Sequence, residues 1–267
     1  MMKKSHEEIK KAVREHYGQA VAHRSECCGG SSRVQLEEQG AGTDPLQGVA
    51  SFGCGSPLAF ANIAPGDTVL DLGAGAGPDL IMAARKVGPE GKAIGLDMTP
   101  EMIDACRRNL EAAGIENAEV RQGEMENMPV ADAEVDWIIS NCVINLSPDK
   151  EKVFAEAFRV LKPGGQMLVS DIVTVGLPQA LRENMTAWVG CIAGAVEQDE
   201  YIRLAREAGF ENVRVVDKYE YSESSLCALT EGCSCGCDDD KASPDMSHAG
   251  DLAGRIASVR LYARKRK

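Results

Sequence analysis

Residues 69–77 read Val-Leu-Asp-Leu-Gly-Ala-Gly-Ala-Gly, a short apolar segment that runs directly into alternating glycines. The apolar residues predict a buried strand, and the glycines predict a tight turn at which the backbone can approach a ligand closely. Pro78 follows, and proline suits the first turn of a helix. The stretch therefore predicts a strand, a glycine turn and a helix, with a ligand site beside the turn.

The spacing of the glycines narrows the kind of site. Gly73, Gly75 and Gly77 follow G-x-G-x-G, and Pro78 stands where the dinucleotide pattern G-x-G-x-x-G has its last glycine. A glycine triplet alone is weak evidence, but a second predicted strand ends at Asp97. A carboxylate at that point can accept both hydroxyls of a ribose. The two features together favour a nucleoside-containing ligand over a purely structural turn.

Strand and helix patterns alternate over residues 66–175. The predicted strands are 68–72, 92–96, 118–121, 135–140 and 167–173, and the predicted helices start at Asp79, at Pro100 after a Thr99 cap, and at Pro148. This alternation predicts a parallel sheet with right-handed crossovers, in the doubly wound Rossmann-like α/β class. Ligands of such sheets bind beyond the carboxyl ends of the strands. Gly123 and Glu124, where the third strand ends, are therefore placed to line an adenine.

The chain on either side of this alternation has a different pattern. Residues 1–65 predict an amphipathic helix followed by a cysteine-containing loop that caps the central domain of residues 66–175. The apolar face of that helix comprises Ile9, Val13 and Tyr17. Residues 176–267 predict a smaller C-terminal α+β part, with late strands at 213–216 and 256–263. Within it, the polar segment 231–250 is rich in Gly, Asp and Cys and predicts a mobile loop.

Composition restricts the function further. The formal net charge of −12 argues against nucleic acid and anionic membranes as partners. No apolar run reaches the roughly 18 residues of a membrane span, and the charged N-terminal segment lacks the apolar region of a signal peptide, so we expect a cytoplasmic protein. In a reducing compartment, the 10 cysteines are expected to be core, metal-binding or redox-active residues. Cys106 lies on the apolar face of a predicted helix and is expected in the core.

Over residues 66–175 the chain resembles the class I S-adenosylmethionine methyltransferases. The resemblance implies that the cofactor contacts Asp71, Gly73, Gly75, Gly77, Asp97, Met98, Gly123, Glu124, Asn141 and Cys142. Of these, it places Asn141 and Cys142 beside the methyl group. The sequence alone leaves two alternatives open, a doubly wound domain for another nucleotide and a nicotinamide-dependent dehydrogenase. No evident Tyr-Lys pair or histidine base supports the dehydrogenase.

Three further segments resemble the microbial branch of the arsenite methyltransferase family. They are residues 51–57 (Ser-Phe-Gly-Cys-Gly-Ser-Pro), 141–146 (Asn-Cys-Val-Ile-Asn-Leu) and 188–195 (Trp-Val-Gly-Cys-Ile-Ala-Gly-Ala), and Cys27-Cys28 adds to the likeness. The resemblance implies arsenite or methylarsenite as substrate, held by Cys54 and Cys191, with Phe52 next to the sulfonium. Thiolates are soft ligands that match soft trivalent arsenic. The arsenic lone pair can attack the methyl group without losing a proton, so no general base is needed.

The resemblance also implies a redox step. Thiols return methylated arsenic to the trivalent state, Cys27 or Cys28 pairs with Cys54, and thioredoxin or glutathione restores the thiols. The chain departs from the family at two places: Phe52 stands where many members have tyrosine, and Gly254 stands where members with a third arsenic ligand have cysteine. Either a small thiol completes the site, or Cys233, Cys235 or Cys237 does so from the mobile loop. Cys142 is expected to pack beside the cofactor.

Two other functions remain compatible with the sequence. One is a methyltransferase for another small molecule, such as a quinone precursor, in which the cysteines belong to the core. The other is a non-catalytic protein that sequesters metalloids through its thiols. Cofactor binding without any dependence on arsenic distinguishes the first, and arsenite binding without cofactor turnover distinguishes the second.

Overall fold

The computed structural model describes residues 5–23, 57–176, 193–221 and 254–267. Its helices are α1 (His6–His23), α2 (Pro78–Val87), α3 (Pro100–Ala112), α4 (Lys150–Val160) and α5 (Gln198–Glu207), with 3-10 turns at Pro57–Ala59 and Ile144–Leu146. Its strands are β1 (Thr68–Leu72), β2 (Lys92–Asp97), β3 (Ala118–Gln122), β4 (Val135–Asn141), β5 (Leu161–Thr174), β6 (Glu211–Glu220) and β7 (Ile256–Arg264). None of the described helices is long and apolar enough to cross a membrane.

The described strands form one sheet in the order β3-β2-β1-β4-β5-β7-β6. Strands β1 to β5 are parallel, whereas β7 runs antiparallel to both β5 and β6. The predicted doubly wound α/β class is confirmed, and the two late strands extend the same sheet. The strand order reverses between β1 and β4, which creates the crevice where ligands of open α/β sheets bind.

Both faces of the sheet are covered, which explains the continuous apolar character of the central strands. On one face β1 and β4 contribute Val69 and Ile139 to a cluster with α2 and α3. Cys106 is fully buried in that cluster, as predicted, and burial raises the pKa of its thiol to about 12. A second cluster packs α4 and α5 on the opposite face. The predicted amphipathic character of α1 is confirmed, since Ile9 and Val13 are buried.

Three local predictions need correction. The helix predicted at Pro148 begins at Lys150, because the Asp149 side chain caps it by accepting from the backbone N–H of Lys152. Thr99 does precede α3, but its side chain makes no capping hydrogen bond. The strand predicted at 167–173 begins at Leu161 instead, and residues 162–165 lie within it as a bulge, where the register against β4 shifts.

Candidate functional site: an acidic cleft at the carboxyl ends of the strands

A cleft with about 980 Å³ of empty space opens at the carboxyl ends of β1, β2 and β4. Its walls come from the glycine turn after β1, the ends of β2 and β4, the segments that follow β3 and β4, and one face of α1. The position is the one that the reversal of strand order predicts for a ligand site.

The glycine turn is held against the end of β2. The backbone N–H of Gly73 donates to the carbonyl of Leu96 over 2.7 Å, and the N–H of Gly75 donates to Oδ2 of Asp97 over 2.9 Å. The other carboxylate oxygen, Oδ1, accepts from the N–H of Thr99 over 2.8 Å. Asp97 therefore orients the turn as well as facing the cleft.

Gly73 is required for steric reasons. Its φ is +68°, and a Cβ at this position would lie only 2.3 Å from Cγ1 of Val143. Gly75 also has a positive φ, of +52°, but a Cβ there would meet nothing closer than Sδ of Met102 at 4.0 Å. The turn therefore approaches the segment after β4 closely at Gly73, while Gly75 borders open space.

Three carboxylates line the same cleft, of which Asp71 and Asp79 are buried and Asp97 is half-buried. Burial raises the pKa of Asp71 well above its ordinary value, and repulsion from Asp79 and Asp97 raises it further. Burial also raises the pKa of Asp79 and of Asp97, while hydrogen bonds, from the Asn141 amide to Asp79 and from backbone N–H groups to Asp97, lower it. Within the described residues, Oδ2 of Asp71 is buried without a hydrogen-bond partner. Such a cluster favours a ligand that brings positive charge.

The acidic cluster makes cation binding dependent on pH. A cationic ligand stabilises the ionised carboxylates, so its affinity is full above their raised pKa values and falls as the pH drops through them. We expect the affinity for S-adenosylmethionine, which carries a sulfonium, to fall as the pH is lowered from 8 through the raised pKa values of these carboxylates. Isothermal titration measures this, with S-adenosylhomocysteine, which lacks the sulfonium, as the comparison. Equal pH dependence for the two ligands contradicts a role of the cluster in holding the sulfonium.

The segment after β4, residues 142–147, forms the opposite wall and is called the β4 loop. Asn141 donates from Nδ2 to Oδ2 of Asp79 over 3.1 Å. Cys142 is 3% exposed and has a φ of +59°, a conformation that non-glycine residues rarely adopt. It is disulfide-bonded, and its partner lies outside the described residues, since Cys106 is free. A disulfide sulfur therefore lies at the wall of the cleft, at the end of β4.

Helix α1 forms a third wall that the sequence did not indicate. Lys10 lines the cleft beside Val13, and its Nζ lies 2.7 Å from Oε2 of Glu124 and 3.4 Å from Oε1 of Glu126. Ser147 of the β4 loop also donates to Glu126, over 2.6 Å. The helix is thereby tied to the rim where an adenine was expected. The apolar positions of α1 indicated packing, but nothing local to the sequence showed where it packs.

The structure brings most of the predicted cofactor residues to this cleft. Those that line it are Asp71, Gly73, Gly75, Asp97, Met98, Gly123, Glu124, Asn141 and Cys142. Gly77 lies behind the cleft, where its φ of +91° starts α2 and a Cβ would meet Sγ of Cys106 at 2.7 Å. Asp79 lines the cleft and was not predicted, because an acidic residue in the first turn of a helix is common.

The remaining predicted residues lie outside the described part of the chain. They are Phe52, Cys54 and Cys191 of the arsenic site, Cys27 and Cys28 of the redox step, and Cys233, Cys235 and Cys237. Gly254 is described, with a φ of +73°, and offers no side chain for coordination. Among the described residues, no group of three or more His, Cys, Asp or Glu side chains is arranged to hold a metal ion.

The comparisons with known proteins agree with this architecture. Residues 63–209 match the family model described as a methyltransferase domain. An arsenite methyltransferase of Halobacterium salinarum is 42% identical over 81% of this chain and 61% of its own length, and one of Homo sapiens is 32% identical over 78% and 60%. A solved arsenic(III) S-adenosylmethionine methyltransferase of Chlamydomonas reinhardtii matches with a TM-score of 0.64 at 35% identity, over 80% of this chain and 68% of that one.

The sheet order, the glycine turn and the acidic cleft define the class as the class I S-adenosylmethionine methyltransferases. Within that class, the chain belongs to the arsenite methyltransferase family. It spans about three fifths of the length of the curated relatives that it matches.

Proposed function

We propose that this chain transfers the methyl group of S-adenosylmethionine to trivalent arsenic held by cysteine thiolates, which converts arsenite to methylarsenicals in arsenic detoxification. The observation that carries the proposal is a buried, disulfide-bonded cysteine, Cys142, in the wall of an acidic cleft. Family membership supports the same reaction. We assign cofactor binding to residues 66–175 and the arsenic thiols to residues 1–65 and 176–267 together with the β4 loop.

The residues of the cleft fit S-adenosylmethionine. When bound, this cofactor supplies an electrophilic methyl group on a positively charged sulfur. Asp71 and Asp79 would hold the cationic methionine part, because their buried carboxylates otherwise repel each other. Asp97 would accept the ribose hydroxyls, and Gly123 and Glu124 would line the adenine.

The arsenic site requires several thiolates near the methyl group. We propose Cys54 and Cys191 as ligands, with Phe52 beside the sulfonium. The third place, which Gly254 does not fill, we assign to Cys142 in its reduced form, because its sulfur alone among the described cysteines lines the cleft. Cys233, Cys235 and Cys237 remain available to capture arsenic before it reaches the cleft.

Methyl transfer to arsenic requires no general base from the protein. Arsenic bound to thiolates keeps a lone pair and has no proton to lose, so the work of the chain is to position the substrate and to exclude water. Val143 and Leu146 present apolar surface to the cleft beside Cys142. Among the described residues that line the cleft there is no histidine, and a reaction without proton transfer needs none.

The reaction also needs two electrons for each methyl group. The methylated arsenic is formally pentavalent, and two thiolates that join in a disulfide reduce it to the trivalent state. The disulfide at Cys142 supports this step, because a disulfide is the product that the step leaves on the protein. We propose Cys27 or Cys28 with Cys54 as a further pair. Thioredoxin or glutathione would then restore the thiols, which places the protein in a reducing compartment such as the cytoplasm.

The direct test combines the protein with arsenite, S-adenosylmethionine and glutathione. We expect methylarsenicals by mass spectrometry, and we expect Cys54→Ser and Cys191→Ser each to lower their formation at least about 100-fold while cofactor affinity is kept, since serine is a poor ligand for a soft metalloid. Methylation of a quinone precursor but not of arsenite would indicate the alternative small-molecule methyltransferase. Arsenite binding without methylated product would indicate a sequestering protein.

A further inference from the structure

A buried tyrosine–carboxylate pair lies behind the β4 loop. The hydroxyl of Tyr201, on α5, donates a 2.7 Å hydrogen bond to Oδ2 of Asp171, on β5. The two residues are 1% and 0% exposed. The ring of Tyr201 packs edge-to-face on Phe154 of α4, with 5.3 Å between the ring centroids. The pair therefore joins β5, α4 and α5 in a place that water does not reach.

Strand β5 holds the β4 loop on both sides of Asp171. The backbone N–H of Cys142 donates to the carbonyl of Ser170 over 2.7 Å. The side-chain amide of Asn145 donates to the carbonyl of Ile172 over 2.6 Å. Any shift of β5 at Asp171 is therefore transmitted to Cys142.

The polar groups around Asp171 come from the elements that the pair connects. Burial raises the pKa of Asp171 to about 7. Three kinds of group favour the ionised carboxylate and limit this rise: the Tyr201 hydroxyl, the Lys150 ammonium of α4, and the backbone N–H groups of Asn145 and Ile144 in the β4 loop. Lys150 in turn donates to the carbonyl of Asn145 over 3.3 Å. The ionised carboxylate thus attracts groups on α4, α5 and the loop together.

We propose that Tyr201 and Asp171 are positioning residues, which hold the β4 loop so that Cys142 faces the cleft. Neither of them lines the cleft, so they act through the loop and not on the ligand. The catalytic consequence rests on the proposed function, in which Cys142 binds arsenic. The structural consequence is that the order of the β4 loop depends on the Tyr201 hydroxyl, and this part is independent of the proposed function.

The variant Tyr201→Phe tests the proposal, because it keeps the ring on Phe154 and removes only the hydroxyl. We expect amide hydrogen exchange in the β4 loop of the reduced protein at pH 8 to be about tenfold faster than in the wild type, the effect of losing one buried hydrogen bond. Exchange in β2 should be unchanged. The kcat for arsenite methylation should fall about tenfold, with cofactor affinity within about threefold.

Tyr262→Phe is the matched control. Tyr262 donates a hydrogen bond of the same 2.7 Å length to Gln166, in a part of the sheet outside the cleft. We expect Tyr262→Phe to change neither the rate of amide hydrogen exchange in the β4 loop nor the kcat for arsenite methylation. A lower melting temperature in Tyr201→Phe without faster loop exchange, or equal acceleration in the loop and in β2, would show a purely structural role. Faster loop exchange in a protein that does not methylate arsenite would uphold the positioning role and refute the proposed function.

Discussion

Cys142→Ser is expected to reduce arsenite methylation at least about 100-fold, because an alcohol replaces a thiolate that soft arsenic requires at the wall of the cleft. Serine is close in size to cysteine, so the buried site and the positive φ at this position are preserved. We therefore expect the affinity for S-adenosylmethionine, measured by titration calorimetry, to change less than about threefold. Methylarsenicals quantified by mass spectrometry give the rate.

Cys106→Ala is the control for Cys142→Ser. Cys106 is also buried, but it lies in the core behind the glycine turn and does not line the cleft. Its loss is expected to lower the free energy of unfolding by about 1 kcal/mol, as for a small core truncation, and to leave the rate of methylation within about twofold. If Cys142→Ser methylates arsenite as fast as Cys106→Ala, Cys142 is not an arsenic ligand.

Gly73→Ala is expected to lower the free energy of unfolding by about 3 kcal/mol and to abolish measurable cofactor binding. The added Cβ would lie 2.3 Å from Val143, and the positive φ adds strain of its own. Relief of the clash must move either the glycine turn or the β4 loop, and both are walls of the cleft. Chemical denaturation measures the stability, and calorimetry measures the binding of S-adenosylmethionine.

Gly75→Ala separates the clash from the backbone strain. Gly75 has the same left-handed backbone, but its Cβ would have space. We expect a loss in stability of only about 1 kcal/mol, the cost of the conformation alone. Equal losses in the two variants would mean that the contact between the glycine turn and Val143 contributes nothing beyond the strain at positive φ.

Much of the structure around the glycine turn was predictable, because neighbouring residues specify it. An apolar segment, alternating glycines and a following proline specify a strand, a turn and a helix within a dozen residues, and the structure has β1 and α2 there. The position of Asp97 was also predictable. Asp97 ends the second predicted strand, and in a parallel sheet the carboxyl ends of neighbouring strands lie at the same edge. The cleft lies at that edge.

Contacts between distant segments were not predictable in this way. Asp79 looked like an ordinary acidic residue at a helix start, yet packing buries its carboxylate beside that of Asp71. The amphipathic pattern of α1 did not show that Lys10 would reach Glu124. No local pattern in the sequence pairs the hydroxyl of Tyr201 with Asp171, which lies 30 residues away along the chain.

The sequence by itself determined which segments are strands, where the glycine turn must lie and that this turn serves a nucleoside-containing ligand, because short-range sterics and apolar periodicity act within a few residues. Only the tertiary structure decided that β7 lies between β5 and β6, that Asp79 joins Asp71 and Asp97 in one cleft and that Lys10 of α1 lines its wall. These arrangements depend on how separate elements pack against one another. The energies of these contacts depend on pairs of residues that are far apart in the sequence, so no local periodicity indicates them.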